Sequence, residues 1–175
     1  QVCWSMNVAT SPSGTGLARP TELHDLVTGL DLTEHVRFVP PADRLTLADW
    51  YRASDLVAVP SYSESFGLVA IEALACGTPV VAAAVGGLPT AVGPGGVLVH
   101  THDIGDWAAA IDGLLHTPDE RKRLSGNAVR HAARFGWDAT TDRLLTAYGD
   151  ACRTRTPSPI SDSALLLGVP ALVIP

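Results

Sequence analysis

Basic residues are scarce in this sequence and do not form a clustered basic face. It has 12 lysine and arginine residues against 18 aspartate and glutamate residues, a formal net charge of −6 at pH 7. The short run RKR at 121–123 is typical of a solvated helix face. Proteins that bind nucleic acid usually present a positively charged surface, so this charge balance argues against a nucleic-acid partner.

Cysteines and long apolar runs are also rare. Cys3, Cys76 and Cys152 are odd in number, far apart and free of a C-x-x-C pair. This fits neither a disulfide framework nor a zinc site, so we expect a reducing, cytoplasmic location. No charged segment precedes an apolar run at the start, which argues against a secretory signal. The longest apolar stretch, at 164–175, contains two prolines and is too short to span a bilayer, so no membrane partner is expected.

Short apolar segments alternate with helix-like segments along most of the chain. The predicted strands are VRFVP (36–40), LVAVP (56–60), PVVAAAV (79–85) and GVLVH (96–100), and after residue 117 the pattern is helical only. Strands that are apolar on both faces and separated by helices indicate a parallel sheet covered on both sides. The predicted fold class is therefore α/β: a Rossmann-like parallel sheet with helices on both faces, followed by C-terminal helices.

The length suits one ordinary domain. Residues 1–152 are expected to form it. The first ten residues are atypical because they lack clean alternation, although one strand fits at 2–4. Residues 153–175 contain the segment TPSPISDS followed by apolar residues, and this composition predicts a linker and an apolar tail.

Two acids, Glu64 and Glu72, stand in an otherwise almost uncharged stretch at 61–81. Glu64 follows a predicted strand, and Glu72 lies in the second turn of a helix that begins near Gly67. Ligands of parallel α/β sheets bind beyond the carboxyl ends of strands, and the free amides of a helix start attract phosphate. Carboxylates can hold vicinal diols, so the pair suits a nucleotide sugar. The alternative is a solvated loop acid and a surface helix residue.

These motifs resemble the donor site of the retaining family-4 glycosyltransferases, which have the GT-B fold. The resemblance is carried by ESFGLVAIE, an E-x7-E pattern, by ACGTPVVAAAVGGLP after it, and by PSGTGL, RFVPP, ADWYRASDLVAVPSYS and FGWD. It extends to the branch that transfers N-acetylglucosamine from UDP to 1D-myo-inositol 3-phosphate in mycothiol biosynthesis. The resemblance implies that residues 1–152 bind UDP-N-acetylglucosamine.

The resemblance also implies a role for each matching residue. Glu72 is expected to hold the ribose hydroxyls of UDP, and Glu64, the candidate catalytic residue, to contact the hydroxyls of the transferred sugar. The main chain around Gly67 is expected to bind the sugar and the diphosphate, and Ala42 to lie against the uracil. The expected donor-binding residues are Ala42, Glu64, Ser65, Phe66, Gly67, Leu68, Val69 and Glu72.

A magnesium ion is a further implication of the resemblance. The positions that match its site are Tyr51, Arg52, Ser54 and Thr78. Carbonyl and hydroxyl oxygens are hard ligands that suit Mg²⁺, and an ion at this place is expected to be structural. A second candidate metal pair, His100 and His102, has no third ligand nearby, and we expect a solvated loop there instead.

Parts of the family pattern are absent from this sequence. The family has an arginine and a lysine before its GGPSG segment, and nothing before Ser11 here is basic. We therefore expect a donor-binding half that transfers no sugar alone, with the inositol phosphate acceptor held by a missing N-terminal domain. The alternatives are a non-catalytic nucleotide-sugar module, a half that needs a partner chain, and another family-4 hexosyltransferase or a nucleotide-sugar epimerase. The oligomeric state is open, with a homodimer as one option.

Overall fold

A computed structural model describes residues 2–5, 22–39 and 41–154 of the chain, which divides into two compact units, residues 1–136 and 137–175. The strands of the first unit are β1 (Val2–Ser5), β2 (Val36–Val39), β3 (Val57–Val59), β4 (Val80–Ala83) and β5 (Gly96–Val99). Its helices are α1 (Glu22–Gly29), α2 (Arg44–Ala53), α3 (Leu68–Ala75), α4 (Leu88–Val92), α5 (Ile104–Leu115) and α6 (Pro118–Ala132). Short 3₁₀ turns occupy Gly93–Gly95 and Ala133–Phe135.

The described strands pair in parallel, in two sheets. β1 pairs with β2, and the second sheet has the order β3-β4-β5. In the second sheet Val80 lies opposite both Val57 of β3 and Gly96 of β5. The parallel pairing and the alternation of strands with helices confirm the α/β class predicted from the sequence. The strand that the sequence permitted at 2–4 is β1.

Side-chain caps and acidic first turns explain where several helices begin. The Asp43 carboxylate accepts hydrogen bonds from the amides of Leu45 and Thr46 at the start of α2, and Asp103 caps α5 in the same way. Helix α6 begins at Pro118, followed by Asp119 and Glu120, as its sequence predicts. The five-residue helix α4 was not predicted, because it is too short to show a helical period.

Strand β4 is the centre of the core, since all four of its residues are buried. Side chains alternate across a strand, so β4 contributes to both faces of the sheet. One face packs Val80 and Ala82 against residues of α3, α4 and α6, including Leu74, Leu88, Val92 and Ala128. The other face packs Val81 against Val99, Leu114 and Leu124, of which the last two come from α5 and α6. Helices therefore cover both faces, as the continuous apolar strands predict.

The described part of the second unit is helix α7 (Trp137–Thr154). Its larger apolar side chains, Trp137, Leu144, Leu145 and Tyr148, are exposed. No helix in the described ranges is both long enough and apolar enough to cross a membrane. Residues 6–10 and 155–175 lie outside the described residues, so the atypical start and the linker with its apolar tail stay predictions.

The close packing of β5 on β4 leads to a stability prediction for Gly96. A Cβ added to Gly96 would lie 2.1 Å from the Val80 carbonyl oxygen and 2.8 Å from the Val92 Cγ1 atom. We expect Gly96→Ala to lower the free energy of unfolding by about 1–3 kcal/mol, because the strand pairing or the core must shift. Urea unfolding followed by circular dichroism measures the change.

Gly113→Ala in α5 is the matched control for this substitution. A Cβ added to Gly113 meets nothing within 4 Å. Alanine is a better helix former than glycine, so this variant should gain about 0.5–1 kcal/mol. Equal free energies of unfolding for the two variants would contradict the described β4–β5 packing.

Candidate functional site

The loop between β3 and α3 carries Glu64 and leads into an open helix start. Gly67 is the N-cap of α3, with φ of +92°, and no side chain caps this helix in the described structure. The first turn of α3 also contains no acidic residue. The amides of Leu68, Val69 and Ala70 therefore lack intrahelical acceptors, and the positive end of the helix dipole is not compensated from within the helix.

The start of α3 is fixed from behind by the core. Gly67 is buried, and a Cβ on it would lie 3.0 Å from the Ala91 Cβ and from the Leu88 Cδ2. In contrast, Phe66, Leu68 and Val69 are exposed, at 50%, 62% and 44% of their surface. The end of α3 that bears the free amides is thus rigidly seated and open to solvent, as an anion site requires.

Glu64 is half-buried, and two of its oxygen atoms accept hydrogen bonds. Its carboxylate Oε1 accepts a hydrogen bond from the Phe66 amide at 3.3 Å, and its carbonyl oxygen accepts one from the Gly87 amide at 3.0 Å. A Cβ on Gly86, where φ is +52°, would lie 1.8 Å from the Glu64 carbonyl oxygen, and one on Gly87 would lie 2.5 Å from the Ser65 carbonyl oxygen. The two glycines let the turn after β4 approach the main chain of the Glu64 loop.

Glu72 lies on the exposed side of α3, and its partner comes from α2. The Tyr51 hydroxyl donates to Glu72 Oε2 at 3.2 Å. Tyr51 is only 8% exposed. Burial, together with the neighbouring Glu72 charge, raises the pKa of Tyr51 well above its ordinary value. The phenol therefore stays protonated at neutral pH and orients the Glu72 carboxylate as a hydrogen-bond donor.

Ala42 and Ser65 are the remaining residues predicted to bind the donor, and both are exposed. Ala42 immediately precedes the Asp43 cap of α2. Tyr51 lies near the other end of α2, seven residues after Arg44 and so about 10.5 Å along the helix axis at 1.5 Å per residue. Contact of Ala42 with uracil stays a prediction.

Three of the four residues predicted to hold magnesium are joined by hydrogen bonds. The Thr78 hydroxyl, 3% exposed, donates to the Tyr51 carbonyl oxygen at 2.6 Å, and the Ser54 amide donates to the same oxygen at 3.1 Å. The Ser54 hydroxyl bonds the Trp50 carbonyl instead, and the Arg52 guanidinium pairs with Asp49. The Tyr51 carbonyl and the Thr78 hydroxyl are hard oxygens that suit Mg²⁺, although each is already satisfied by the hydrogen bond between them.

Clusters of ionisable side chains are another kind of metal site. Within the described ranges there is no group of three or more histidine, cysteine, aspartate and glutamate residues that could hold a metal ion. His100 and His102 are both exposed in the turn after β5.

The sequence predicted the two glutamates and the helix start as parts of a site. It did not predict the residues that contact the two glutamates. The prediction considered only the main chain of Tyr51, whereas the phenol contacts Glu72. It also assigned no role to Gly86 and Gly87, which contact the Glu64 loop. The signal that could have indicated the second contact is the glycine pair directly after a buried strand, where only small residues permit a close main-chain approach.

Comparisons with known proteins find relatives of this chain. Residues 15–131 match the family model "Glycosyl transferases group 1". A D-inositol 3-phosphate glycosyltransferase 2 of Catenulispora acidiphila is 59% identical over 81% of this chain and 34% of its own length. The D-inositol 3-phosphate glycosyltransferase of Thermobispora bispora is 59% identical over 80% of this chain and 33% of its own length. The chain thus spans about a third of the length of these curated relatives.

Solved structures with the same fold include GT-B glycosyltransferases. Sucrose-phosphate synthase of Thermosynechococcus elongatus matches with a TM-score of 0.66 and 38% identity, over 76% of this chain and 34% of that one. Anabaena HepE in complex with UDP and glucose matches with a TM-score of 0.62 and 32% identity, over 75% of this chain and 36% of that one. The family match covers well over half of the residues, and the sequence and the fold agree on it. The chain therefore belongs to the glycosyl transferases group 1 family.

Proposed function

We propose that this chain is the donor-binding part of a retaining glycosyltransferase and that its donor is UDP-N-acetylglucosamine. The observation that carries the proposal is the uncapped start of α3 between the carboxylates of Glu64 and Glu72. Free amides at a helix start suit a diphosphate, and flanking carboxylates suit the hydroxyls of two sugars. A UDP-sugar has this order of groups.

Each group of the donor has a matching part of the site in this proposal. Glu72, oriented by the Tyr51 hydroxyl, accepts hydrogen bonds from the ribose hydroxyls. The main chain from 66 to 69 binds the diphosphate and the near side of the transferred sugar, and Glu64 accepts from that sugar's hydroxyls. Ala42 lies beside the uracil, and Ser65 lies at the edge of the sugar.

The proposed acceptor is an inositol phosphate, as in the mycothiol pathway. Support comes from the relatives, which carry the name D-inositol 3-phosphate glycosyltransferase. Because these relatives are about three times as long as the matched region, we propose that the acceptor is held by a further domain. Without it the chain binds the donor but transfers no sugar, since positioning of a second reactant can contribute about 7–11 kcal/mol of barrier reduction. Retention would then follow from attack on the face from which UDP departs.

A second candidate is transfer of glucose from UDP-glucose. It is favoured by the match to HepE in complex with UDP-glucose. The two candidate donors differ in the substituent on carbon 2 of the transferred sugar. They would therefore present different groups to the Glu64 loop. Calorimetry of the chain with UDP, UDP-N-acetylglucosamine and UDP-glucose tests both. Tighter binding of the N-acetylated donor supports the first candidate, tighter binding of UDP-glucose supports the second, and no binding of any of the three contradicts both.

We also propose a structural Mg²⁺ that uses the Tyr51 carbonyl and the Thr78 hydroxyl. In support, these two hard oxygens lie 2.6 Å apart in a buried place between α2 and β4. Arg52 and Ser54 would take part through their main chain. The ion would supply no chemistry to the reaction, and its effect would be to hold α2, which carries Tyr51, against α3.

The substitution Glu72→Gln tests whether Glu72 binds the ribose of UDP. This change keeps the shape of the side chain but removes the charge that strengthens hydrogen bonds to the ribose diol. We expect the free energy of UDP binding to weaken by about 1.5–3 kcal/mol, measured by calorimetry. Glu120→Gln on α6 is the matched control, because it removes the same charge from an exposed i,i+3 ion pair with Arg123. Unchanged UDP affinity in Glu72→Gln would remove Glu72 from the site.

The magnesium assignment can be tested by thermal unfolding in Mg²⁺ and in EDTA. At ten times its dissociation constant an ion that binds only the folded state stabilises by about 1.4 kcal/mol, so we expect a higher Tm in Mg²⁺. Thr78→Val should abolish the difference between the two melting curves, whereas Thr78→Ser, which keeps the hydroxyl, should retain it. Wild-type curves that coincide in Mg²⁺ and in EDTA would contradict the ion.

A further inference from the structure

The Glu64 loop has a second support besides Gly86 and Gly87, and it comes from the turn after β5. Nε2 of His102, in the turn after β5, lies 3.2 Å from the Ser61 carbonyl oxygen. The ring of Tyr62 stacks on the His102 ring, with centroids 4.1 Å apart and planes 5° apart. With its proton on Nε2, the imidazole donates to Ser61 and stacks on the next residue. We call Ser61, Tyr62 and His102 the clasp.

The clasp joins loops from two strands that do not pair with each other. β3 and β5 lie on opposite sides of β4 in the sheet. The contact between the loop after β3 and the turn after β5 therefore passes over the carboxyl end of β4. The turn after β4 holds the Glu64 main chain through the Gly87 amide. Glu64 thus lies in a loop that is fixed by the turns after both other strands of the sheet.

Hydrogen bonds fix the turn that carries His102, so this turn can anchor the Glu64 loop. The Trp107 indole Nε1 donates to the Thr101 carbonyl at 3.0 Å, and Trp107 packs against both faces of the core. On the other side of His102, the Asp103 carboxylate caps α5 through the amides of Gly105, at 2.8 Å, and Asp106, at 3.2 Å. The Thr101 hydroxyl also donates to the Asp106 carboxylate. These bonds fix the main chain immediately before and after His102.

We propose that His102 is a positioning residue of the donor site, which places the Glu64 carboxylate through Ser61 and Tyr62. The inference rests on the proposed function, in which Glu64 contacts the transferred sugar. The start of α3 and Glu72 do not depend on the clasp, because Gly67 is seated on α4 and Glu72 is oriented by Tyr51. His102 therefore affects recognition of the sugar rather than the binding of UDP.

The direct test compares UDP with the UDP-sugar that the wild-type chain prefers. In His102→Ala we expect affinity for the UDP-sugar to fall about five- to tenfold, the loss of one hydrogen bond and one ring contact, while affinity for UDP stays unchanged. A merely structural role would weaken both ligands equally. Equal losses, or no loss for the UDP-sugar, would overturn the proposal. If the wild-type chain binds neither ligand, it is the proposed function that fails.

Two partial variants separate the two contacts of the clasp. His102→Gln keeps a donor for the Ser61 carbonyl, and His102→Phe keeps the ring that stacks on Tyr62. Each should restore part of the UDP-sugar affinity that His102→Ala loses. The matched control is His100→Ala, since His100 is an exposed histidine in the same turn but outside the clasp. A loss in His100→Ala equal to that in His102→Ala would overturn the assignment.

Hydrogen exchange of the ligand-free chain tests the clasp even if no donor binds. The Gly87 amide is bonded to the Glu64 carbonyl, so its hydrogen exchange reports on how firmly the Glu64 loop is held. We expect its exchange in His102→Ala to be about five- to tenfold faster, with amides in the middle of α6 unchanged. Unchanged exchange at Gly87 would show that His102 does not hold the loop, and faster exchange in both places would show general loosening. Either result overturns the proposal.

Discussion

The hydrogen bond from the Gly87 amide to the Glu64 carbonyl is the contact on which the site depends. It joins the turn after β4, a strand whose four residues are all buried, to the loop that carries the candidate catalytic carboxylate. The bond can form only because Gly86 and Gly87 have no side chains, since a Cβ on either would collide with the main chain of the Glu64 loop. The rigid centre of the sheet thereby fixes the main chain of the loop that presents Glu64.

The start of α3 differs from the capped starts of α2 and α5, although α4 and α6 also begin without a side-chain cap. α2 and α5 are capped by Asp43 and Asp103, an arrangement usually worth about 1 kcal/mol each. α3 begins at a glycine without a side-chain cap and without an acid in its first turn. The chain thus forgoes a common source of stability at the one described helix start that lies between Glu64 and Glu72. A ligand with a diphosphate would satisfy the same amides, so ligand binding and stability are coupled there.

Local sequence signals were enough to predict the α/β class and a helix start that lies between Glu64 and Glu72. Continuous apolar strands indicate a covered parallel sheet, and a strand followed by Glu64 and Gly67 indicates a ligand site at its carboxyl end. The contacts that hold the site could not be predicted in this way, because they join residues far apart in the chain. The Tyr51 phenol meets Glu72 and the His102 ring meets Ser61 only after α2 and the turn after β5 have packed. The expectation of a solvated loop was right about the exposure of His102 and missed its partner.

We propose that the open start of α3 binds the diphosphate of a nucleotide sugar. An NMR titration of the isotopically labelled chain with UDP tests it most directly, because each backbone amide reports separately. We expect the amides of Leu68, Val69 and Ala70 to shift most and to saturate together, with smaller shifts around Gly87. Saturable shifts centred elsewhere, with these three amides unmoved, would contradict it.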